Sequence, residues 1–225
     1  VISAKQIKKS VQGFKTTGAK EVRLLCKHDT REDRPDIFKE NGLFILPTKN
    51  GEFAIVKGEG YVDIPGIDSE TKEYTSKLGF ELETSQKGDS EMQHLDFAYA
   101  SSLIRTFIDD QSLVLTIRGR KYTPEFDFCV NKQEIKTKGV QTEVDAGYEG
   151  RDKVVLIEAK NRSAKNLIIR QLYYPFRQWQ EHTNKKVYTF FFERTKDSVY
   201  SIWQFEFTDP KDYNSVRLLK SGKYK

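Results

Sequence analysis

The sequence predicts an α/β fold, in which a central mixed sheet flanked by helices follows an N-terminal α+β region. Three observations lead to this expectation. Apolar residues recur at helical spacing over 90–108, and several β-rich segments come next. The segment Lys153 to Lys160 is apolar on both faces at its centre, Val154 to Ile157, which is typical of a strand in the middle of a sheet. A second helical pattern over 164–182 and two further β-rich segments complete the order.

The first 60 residues predict a mixture of short helices and strands. Ala4 to Phe14 is basic and loosely amphipathic, and Pro35 to Glu40 is a short helix that Gly42 follows at a favoured stop position. Leu43 to Leu46 and Phe53 to Val56 are β-rich and flank an Asn-Gly pair, a strong hairpin turn pattern.

Residues 61–88 are rich in Gly, Ser and acids, which predicts an irregular linker. We therefore divide the chain into an N-terminal α+β subdomain, residues 1–88, and a core, residues 89–225.

The core is expected to begin with one amphipathic helix from Ser90 to Ile108. A second long helix, from Ala164 to His182, contains Pro175, which should kink it or end its first half. The remaining β-rich segments are predicted strands: Leu113–Ile117, Phe126–Val130, Gly139–Asp145, Lys153–Lys160, Val187–Phe192 and Val199–Phe207.

The composition is that of a globular chain without a membrane partner. Of 225 residues, 37% are hydrophobic and 12% aromatic, enough for a core of useful size. The longest aliphatic run, Val154 to Ile157, is far below the roughly 20 residues that a membrane-spanning helix needs. Cys26 and Cys129 have no metal-binding spacing, and two unpaired cysteines favour a reducing cytoplasm.

The net charge of +5 is unevenly distributed along the chain. Residues 61–110 hold eleven acids against four bases, a local charge of −7, so the remainder carries +12. Basic stretches at 161–196 and 211–225 offer surfaces for a polyanion, although lysines and arginines that only solvate exposed faces explain such an excess equally well.

Glu143, Asp145, Glu158 and Lys160 form the sharpest chemical pattern. Because side chains alternate along a strand, Glu143 shares a face with Asp145, and Glu158 shares a face with Lys160. Pairing of these strands around a turn at 147–152 would bring three carboxylates and an ammonium group together. Carboxylates that lie close together resist ionisation unless a proton or a cation neutralises their charge. Clusters rich in oxygen ligands suit Mg²⁺.

This combination indicates phosphodiester hydrolysis. A divalent ion polarises a phosphate, and Lys160 has the character to orient or deprotonate a water and to stabilise charge on the phosphate. The alternative is an ordinary Glu–Lys surface pair at a strand end, with an acidic strand nearby.

The same residues resemble a known family. The segments Gly139 to Gly150, Leu156 to Asn161 and Ile169 to Arg177 are similar to a family of bacterial type II restriction endonucleases, within the PD-(D/E)XK nuclease superfamily. The superfamily likeness covers roughly residues 90 to 205. It implies a restriction-endonuclease-like core with a central mixed sheet.

The resemblance also implies residue roles. Asp145 would be the first metal-binding acid, Glu158 the second and Lys160 the catalytic lysine, with Ala159 lending its carbonyl oxygen to Mg²⁺. Val144 stands where the superfamily name has Pro. Further acids that could join the metal site are described by their position: Glu143 on the same strand, Glu91 on the preceding helix, where it could equally well favour the helix dipole, and Asp127 as a reserve for Asp145.

Basic and polar side chains around this pattern are candidates for DNA contacts. Some of them lie in a predicted turn after the first core strand and the others on the helix after Lys160. They are Arg118, Arg120, Lys121, Lys165, Arg170, Gln171 and Arg177.

The sequence therefore predicts a Mg²⁺-dependent type II restriction endonuclease that cuts double-stranded DNA at a short site. Two active sites are the simplest way to cut two strands, so a homodimer is expected, with residues 1–88 adding recognition or dimer contacts. The alternatives are a nonspecific or structure-specific repair or recombination nuclease, and a non-catalytic DNA-binding protein on the same fold.

Overall fold

The computed structural model describes residues 1–161, 163–195 and 197–225. Over these residues the α-helices are α1 Ala4–Ser10, α2 Val22–Leu25, α3 Asp36–Glu40, α4 Glu91–Ala100, α5 Leu103–Ile108 and α6 Arg170–Gln180. The strands are β1 Ile2–Ser3, β2 Leu43–Lys49, β3 Glu52–Lys57, β4 Tyr61–Asp63, β5 Val114–Tyr122, β6 Phe126–Val130, β7 Gln133–Thr137, β8 Gln141–Glu149, β9 Lys153–Lys160, β10 Asn166–Ile168, β11 Lys186–Arg194, β12 Tyr200–Phe207 and β13 Val216–Tyr224.

Six strands of the described chain form the central sheet, in the order β13-β12-β11-β9-β8-β5. Strands β9 and β11 run parallel to each other, and the other neighbours in this sheet are antiparallel. The sheet is mixed, as predicted. Because its strands are mostly antiparallel and its helices are few, the fold is α+β rather than the α/β class that the sequence predicts.

Strand β9 is buried on both faces, as its apolar centre predicts. Val154 and Leu156 belong to a hydrophobic cluster that includes residues of α6, whereas Val155 and Ile157 belong to a second cluster that includes residues of α4 and α5. The strand bounds, Lys153–Lys160, equal the predicted ones. Glu158, a polar residue inside this strand, is therefore buried, whereas Lys153 and Lys160 at its ends are partly exposed.

The predicted helix over 90–108 is two helices. Ser102 separates α4 from α5 and has φ 68°, a left-handed conformation that no helix interior allows. The Ser101 hydroxyl donates to the Ala98 carbonyl at 3.3 Å, a local bond that competes with continued helix.

The predicted helix over 164–182 begins with a strand. Residues Asn166–Ile168 form β10, which pairs with Tyr61–Asp63 of the predicted linker. The helix proper, α6, runs from Arg170 to Gln180 with Pro175 inside it, so Pro175 does not end the first half.

The N-terminal strands pack into the main core. The predicted hairpin is present as β2 and β3, and Gly51 in its turn has φ 78°. Phe44, Leu46 and Val56 are buried in the same hydrophobic cluster as Leu172 of α6. The division at residue 88 stays a prediction, but these two parts of the chain share one core.

Among the described residues, no helix is long and apolar enough to cross a membrane.

Candidate active site

Strands β8 and β9 bring Asp145 and Glu158 together where their ladder ends. The turn between the strands occupies 150–152 and is shorter than predicted. The ladder runs from Glu149 opposite Val154, next to the turn, to Ala146 opposite Ile157 at its far end. One step further, the Ala159 backbone N–H donates to Asp145 Oδ2 at 2.8 Å. The Asp145 carboxylate thus accepts a hydrogen bond from a β9 backbone N–H beyond the last backbone pair of the two strands. This contact fixes Asp145 beside β9.

Glu158 is buried, with 8% of its surface exposed. Its Oε1 accepts from Lys160 Nζ at 2.5 Å and from Gln171 Nε2 at 2.7 Å. Both donors come from elements that flank it, Lys160 from the same strand and Gln171 from the first turn of α6. Buried charge is stable only when it is paired and hydrogen-bonded, and these two contacts supply that pairing.

Burial sets the acid–base character of this cluster. It raises the pKa of Glu158 to about 7, against the opposing effect of Lys160. It also raises the pKa of Asp145, although the Ala159 N–H and Lys160 act the other way. An additional cation close to these two carboxylates would therefore stabilise their ionised forms.

Lys160 behaves differently. Burial lowers the pKa of its amine, but the Glu158 carboxylate more than offsets this, and the net pKa is raised above its ordinary value. Lys160 is an ammonium ion at neutral pH. Its role in the site is that of a fixed positive charge and hydrogen-bond donor.

The predicted three-carboxylate cluster has only two members. Glu143 is half-exposed and its Oε2 pairs with Arg120 Nε at 3.5 Å. Glu91 lies at the edge of the site, where its Oε1 accepts the backbone N–H of Asn161 at 3.2 Å. Within the described ranges, no group of three or more His, Cys, Asp or Glu side chains is arranged to hold a metal ion.

The donor set nevertheless fits Mg²⁺. This ion binds through one or two protein carboxylates and keeps several waters, and phosphate oxygens of a substrate take other positions. Asp145 and Glu158 would provide the carboxylates, with the Ala159 carbonyl that the resemblance implies. Gln171 adds an independent observation, since its Oε1 is buried without a hydrogen-bond partner in the described part of the chain.

These residues line a cleft of about 670 Å³. The floor is formed by Glu143, Asp145, Glu158, Lys160 and Gln171. Glu91 also lines the cleft, as does Arg170 at the start of α6. The cleft therefore contains every acid predicted for the metal site except the reserve residue Asp127.

The other predicted DNA contacts lie elsewhere. Arg118, Arg120 and Lys121 belong to β5 itself rather than to a turn after it. Arg118 pairs with Asp96 of α4. Lys165 is exposed just before β10.

Arg177 cannot reach a ligand on the surface. It is 7% exposed, and its Nη1 donates to the carbonyls of Asp127 at 3.0 Å and Pro210 at 2.8 Å. Its guanidinium also lies over the Phe126 ring. These contacts argue against the predicted DNA contact of Arg177, because the side chain connects the β6 strand and the 210 loop to α6.

The sequence did not indicate that N-terminal residues complete the cleft. Arg23 and Lys27 line it, as does Lys49, the last residue of β2 before the hairpin turn. The Asn-Gly pattern predicts that turn, but no local pattern tells where a hairpin docks.

The fold and the cleft define an α+β protein with a buried carboxylate–lysine cluster, and comparison with known sequences gives its family. Residues 56–225 match the sequence model of a domain of unknown function, DUF6997, and the chain belongs to that family. Residues 1–55 match a second domain of unknown function, DUF6996. No curated protein and no solved structure shows a significant match.

Proposed function

We propose that this protein is a Mg²⁺-dependent nuclease that hydrolyses phosphodiester bonds of double-stranded DNA, in the manner of a type II restriction endonuclease. The observation that carries the proposal is the cluster of Asp145, Glu158 and Lys160 on the floor of one cleft. A buried and a partly buried carboxylate, both with raised pKa values, and an adjacent ammonium group suit a site for a divalent cation and a phosphate.

The fold supports the proposal. Antiparallel strands β5, β8 and β9 follow α4 and α5, and α6 then leads to β11, which is parallel to β9. This agrees with the central mixed sheet flanked by helices that the PD-(D/E)XK resemblance implies. The two acids lie on neighbouring strands of this sheet, and the lysine follows the second acid on the same strand.

In this proposal the hydrolysis adds water across one phosphodiester bond. The hydroxyl joins the phosphorus, and the hydrogen goes to the departing sugar oxygen. Mg²⁺ supplies polarisation of the phosphate and activation of water when it is bound. The protonated Lys160 stabilises negative charge that develops on the phosphate oxygens and holds Glu158 in place.

Gln171 has a positioning role. Its amide group donates to the same Glu158 oxygen that Lys160 contacts, so the carboxylate has little freedom to rotate. Groups that orient ligating carboxylates in this way tune the site without touching the reacting atoms.

Incubation of the protein with supercoiled plasmid and Mg²⁺ tests this function. Discrete linear fragments support a site-specific endonuclease. A smear would instead indicate a nonspecific nuclease, and plasmid that stays intact over a range of sequences and metal concentrations would contradict a nuclease. The Lys160→Ala protein is the control for a contaminating activity.

Two active sites are the simplest way to cut both strands in one encounter, so a homodimer remains part of the proposal. Sedimentation equilibrium in the presence of DNA tests it, and a monomer that makes double-strand breaks in a single encounter would contradict it.

A further inference from the structure

Two N-terminal segments line the same cleft as the carboxylate floor. The first is the α2 segment, residues 21–29, which contributes Arg23 and Lys27. The second is the β2–β3 turn, residues 47–53, which contributes Lys49. We call these two segments the N-terminal wall.

Hydrogen bonds fix the first segment and its continuation to the core. The Ile168 N–H of β10 donates to the Asp29 carbonyl at 2.9 Å, and Tyr61 Oη donates to the His28 carbonyl at 3.1 Å. Next to it, the Arg31 N–H donates to Asn166 Oδ1 at 2.7 Å.

The hairpin turn is also fixed. The Lys138 N–H donates to the Thr48 carbonyl at 3.0 Å, and Tyr174 Oη of α6 donates to the Pro47 carbonyl at 2.9 Å. The wall is therefore held at a set place relative to the floor, and a ligand in the cleft meets both at once.

The N-terminal wall carries cationic side chains that contribute little to the stability of the fold. The Arg23 guanidinium is exposed and makes no ion pair with any described residue, whereas Lys27 pairs with Asp29 at 3.3 Å. Lys49 pairs only with Glu52, at 3.5 Å and with both side chains exposed, and a surface pair of this kind contributes little. These charges are free to bind an anion.

The floor makes such cations necessary for a polyanionic substrate. Glu91, Asp145 and Glu158, which line the cleft, repel phosphates, and Lys160, the one cation of the floor, is already paired with Glu158. We propose, on the basis of the proposed function, that Arg23 and Lys49 bind the phosphates that flank the scissile phosphate of a DNA duplex. The N-terminal wall and the catalytic floor then contact the same DNA strand within one cleft.

Fluorescence anisotropy with a labelled DNA duplex tests this assignment, with Ca²⁺ in place of Mg²⁺. The R23A/K49A protein should bind about tenfold more weakly than wild type for every duplex sequence. The slope of log Kd against log salt should fall by about two, one for each lost phosphate contact. Because both side chains are exposed, the melting temperature of R23A/K49A should equal that of wild type. The single variants R23A and K49A should each show about half of the change in the salt slope.

The matched control is R151A/K39A. Arg151 is exposed at the far end of β8 and β9, and Lys39 forms an exposed i,i+3 ion pair like that of Lys49. Neither residue lines the cleft. If wild type binds and cleaves DNA but R23A/K49A binds DNA as tightly as this control, the wall assignment is overturned and the proposed nuclease function stands. Wild type that neither binds nor cleaves any duplex would overturn the nuclease itself, and the wall assignment with it.

Discussion

Glu158 shows how a single buried carboxylate organises the cleft. Its Oε1 receives two donors, Lys160 and Gln171, and it lies next in the strand to Ala159, whose N–H holds Asp145. If one donor to the Glu158 carboxylate is removed, the remaining interactions alone must offset the desolvation cost of the buried charge. The three groups therefore act as one unit, and changes in them are expected to be non-additive.

Gln171→Leu tests the positioning role of the amide. The substitution keeps the approximate volume and removes the donor to Glu158, so the carboxylate should lose its fixed orientation. We expect cleavage at limiting Mg²⁺ to fall about 10–100-fold, the usual range for lost partners of ligating groups. Rates measured against Mg²⁺ concentration should show part of this loss recovered at high Mg²⁺. An unchanged rate at every concentration would show that Gln171 has no such role.

Asp110 provides a pH prediction remote from the site. Hydrogen bonds from Ser112 lower its pKa to about 2, with Lys153 Nζ at 3.0 Å contributing, against an ordinary unfolded value of about 3.9. A carboxyl group with a lowered folded pKa stabilises the fold above its unfolded pKa, and this contribution is lost as pH falls through the folded pKa. Asp110→Asn should therefore lower the free energy of unfolding at pH 7 by about 1 kcal/mol.

The difference from wild type should shrink between about pH 4 and pH 2, since both proteins then carry a neutral side chain. Thermal unfolding followed by circular dichroism at several pH values measures it. Asp109→Asn is the control, because Asp109 is exposed and asparagine tolerates its left-handed backbone. A constant difference between Asp110→Asn and wild type down to pH 2 would refute the assignment.

Strand β9 was predictable because its pattern is local. Four consecutive aliphatic residues between Lys153 and Lys160 are typical of a strand covered on both faces. The pair Glu158 and Lys160, and the approach of Asp145, follow from such a strand and one antiparallel neighbour. The roles that the resemblance assigns to them stay predictions.

Other elements depend on partners far along the chain. The strand β10 pairs with β4, whose sequence reads as part of a linker, so neither strand is recognisable alone. The edge strand β13 is rich in charged residues and lacks an alternating apolar pattern. The N-terminal wall depends on contacts such as Lys138 with Thr48, which no periodicity reports.

Gly147 tests the packing of β8 against β5. A Cβ at this position would lie 2.6 Å from Ile117 Cβ, so an alanine forces the two strands apart. Overpacking of this kind costs about 1–3 kcal/mol, and Gly147→Ala should lower the midpoint of urea unfolding accordingly. Gly66→Ala is the control, since a Cβ at that position would meet nothing within 4 Å and the backbone there is not left-handed. Equal midpoints for the two variants would contradict the close approach.

At the scale of the whole molecule, the two regions matched by different families form one body. Phe44, Leu46 and Ala54 lie in the region of residues 1–55, and they share a hydrophobic cluster with Tyr173 and Tyr213. The cleft also needs both regions, because its floor and its N-terminal wall come from different ones.

A chain that starts at residue 56 should therefore fail to fold cooperatively. It would expose the apolar surface that Phe44 and Leu46 cover, at a cost of about 1.5–3 kcal/mol for each large side chain. Broad thermal unfolding and binding of a hydrophobic dye are the expected results. A sharp transition close to that of the full chain would show that the second region is an independent domain.

Cleavage of plasmid DNA by wild type, Asp145→Asn and Lys160→Ala, at fixed Mg²⁺, measures the central claim most directly. Wild type should cut, and both variants should lose cleavage while they retain most of their DNA binding, since the two side chains lie at the floor of the cleft and the proposed phosphate-binding cations lie on its wall. Full cleavage by either variant, or no cleavage by wild type on any duplex, would contradict it.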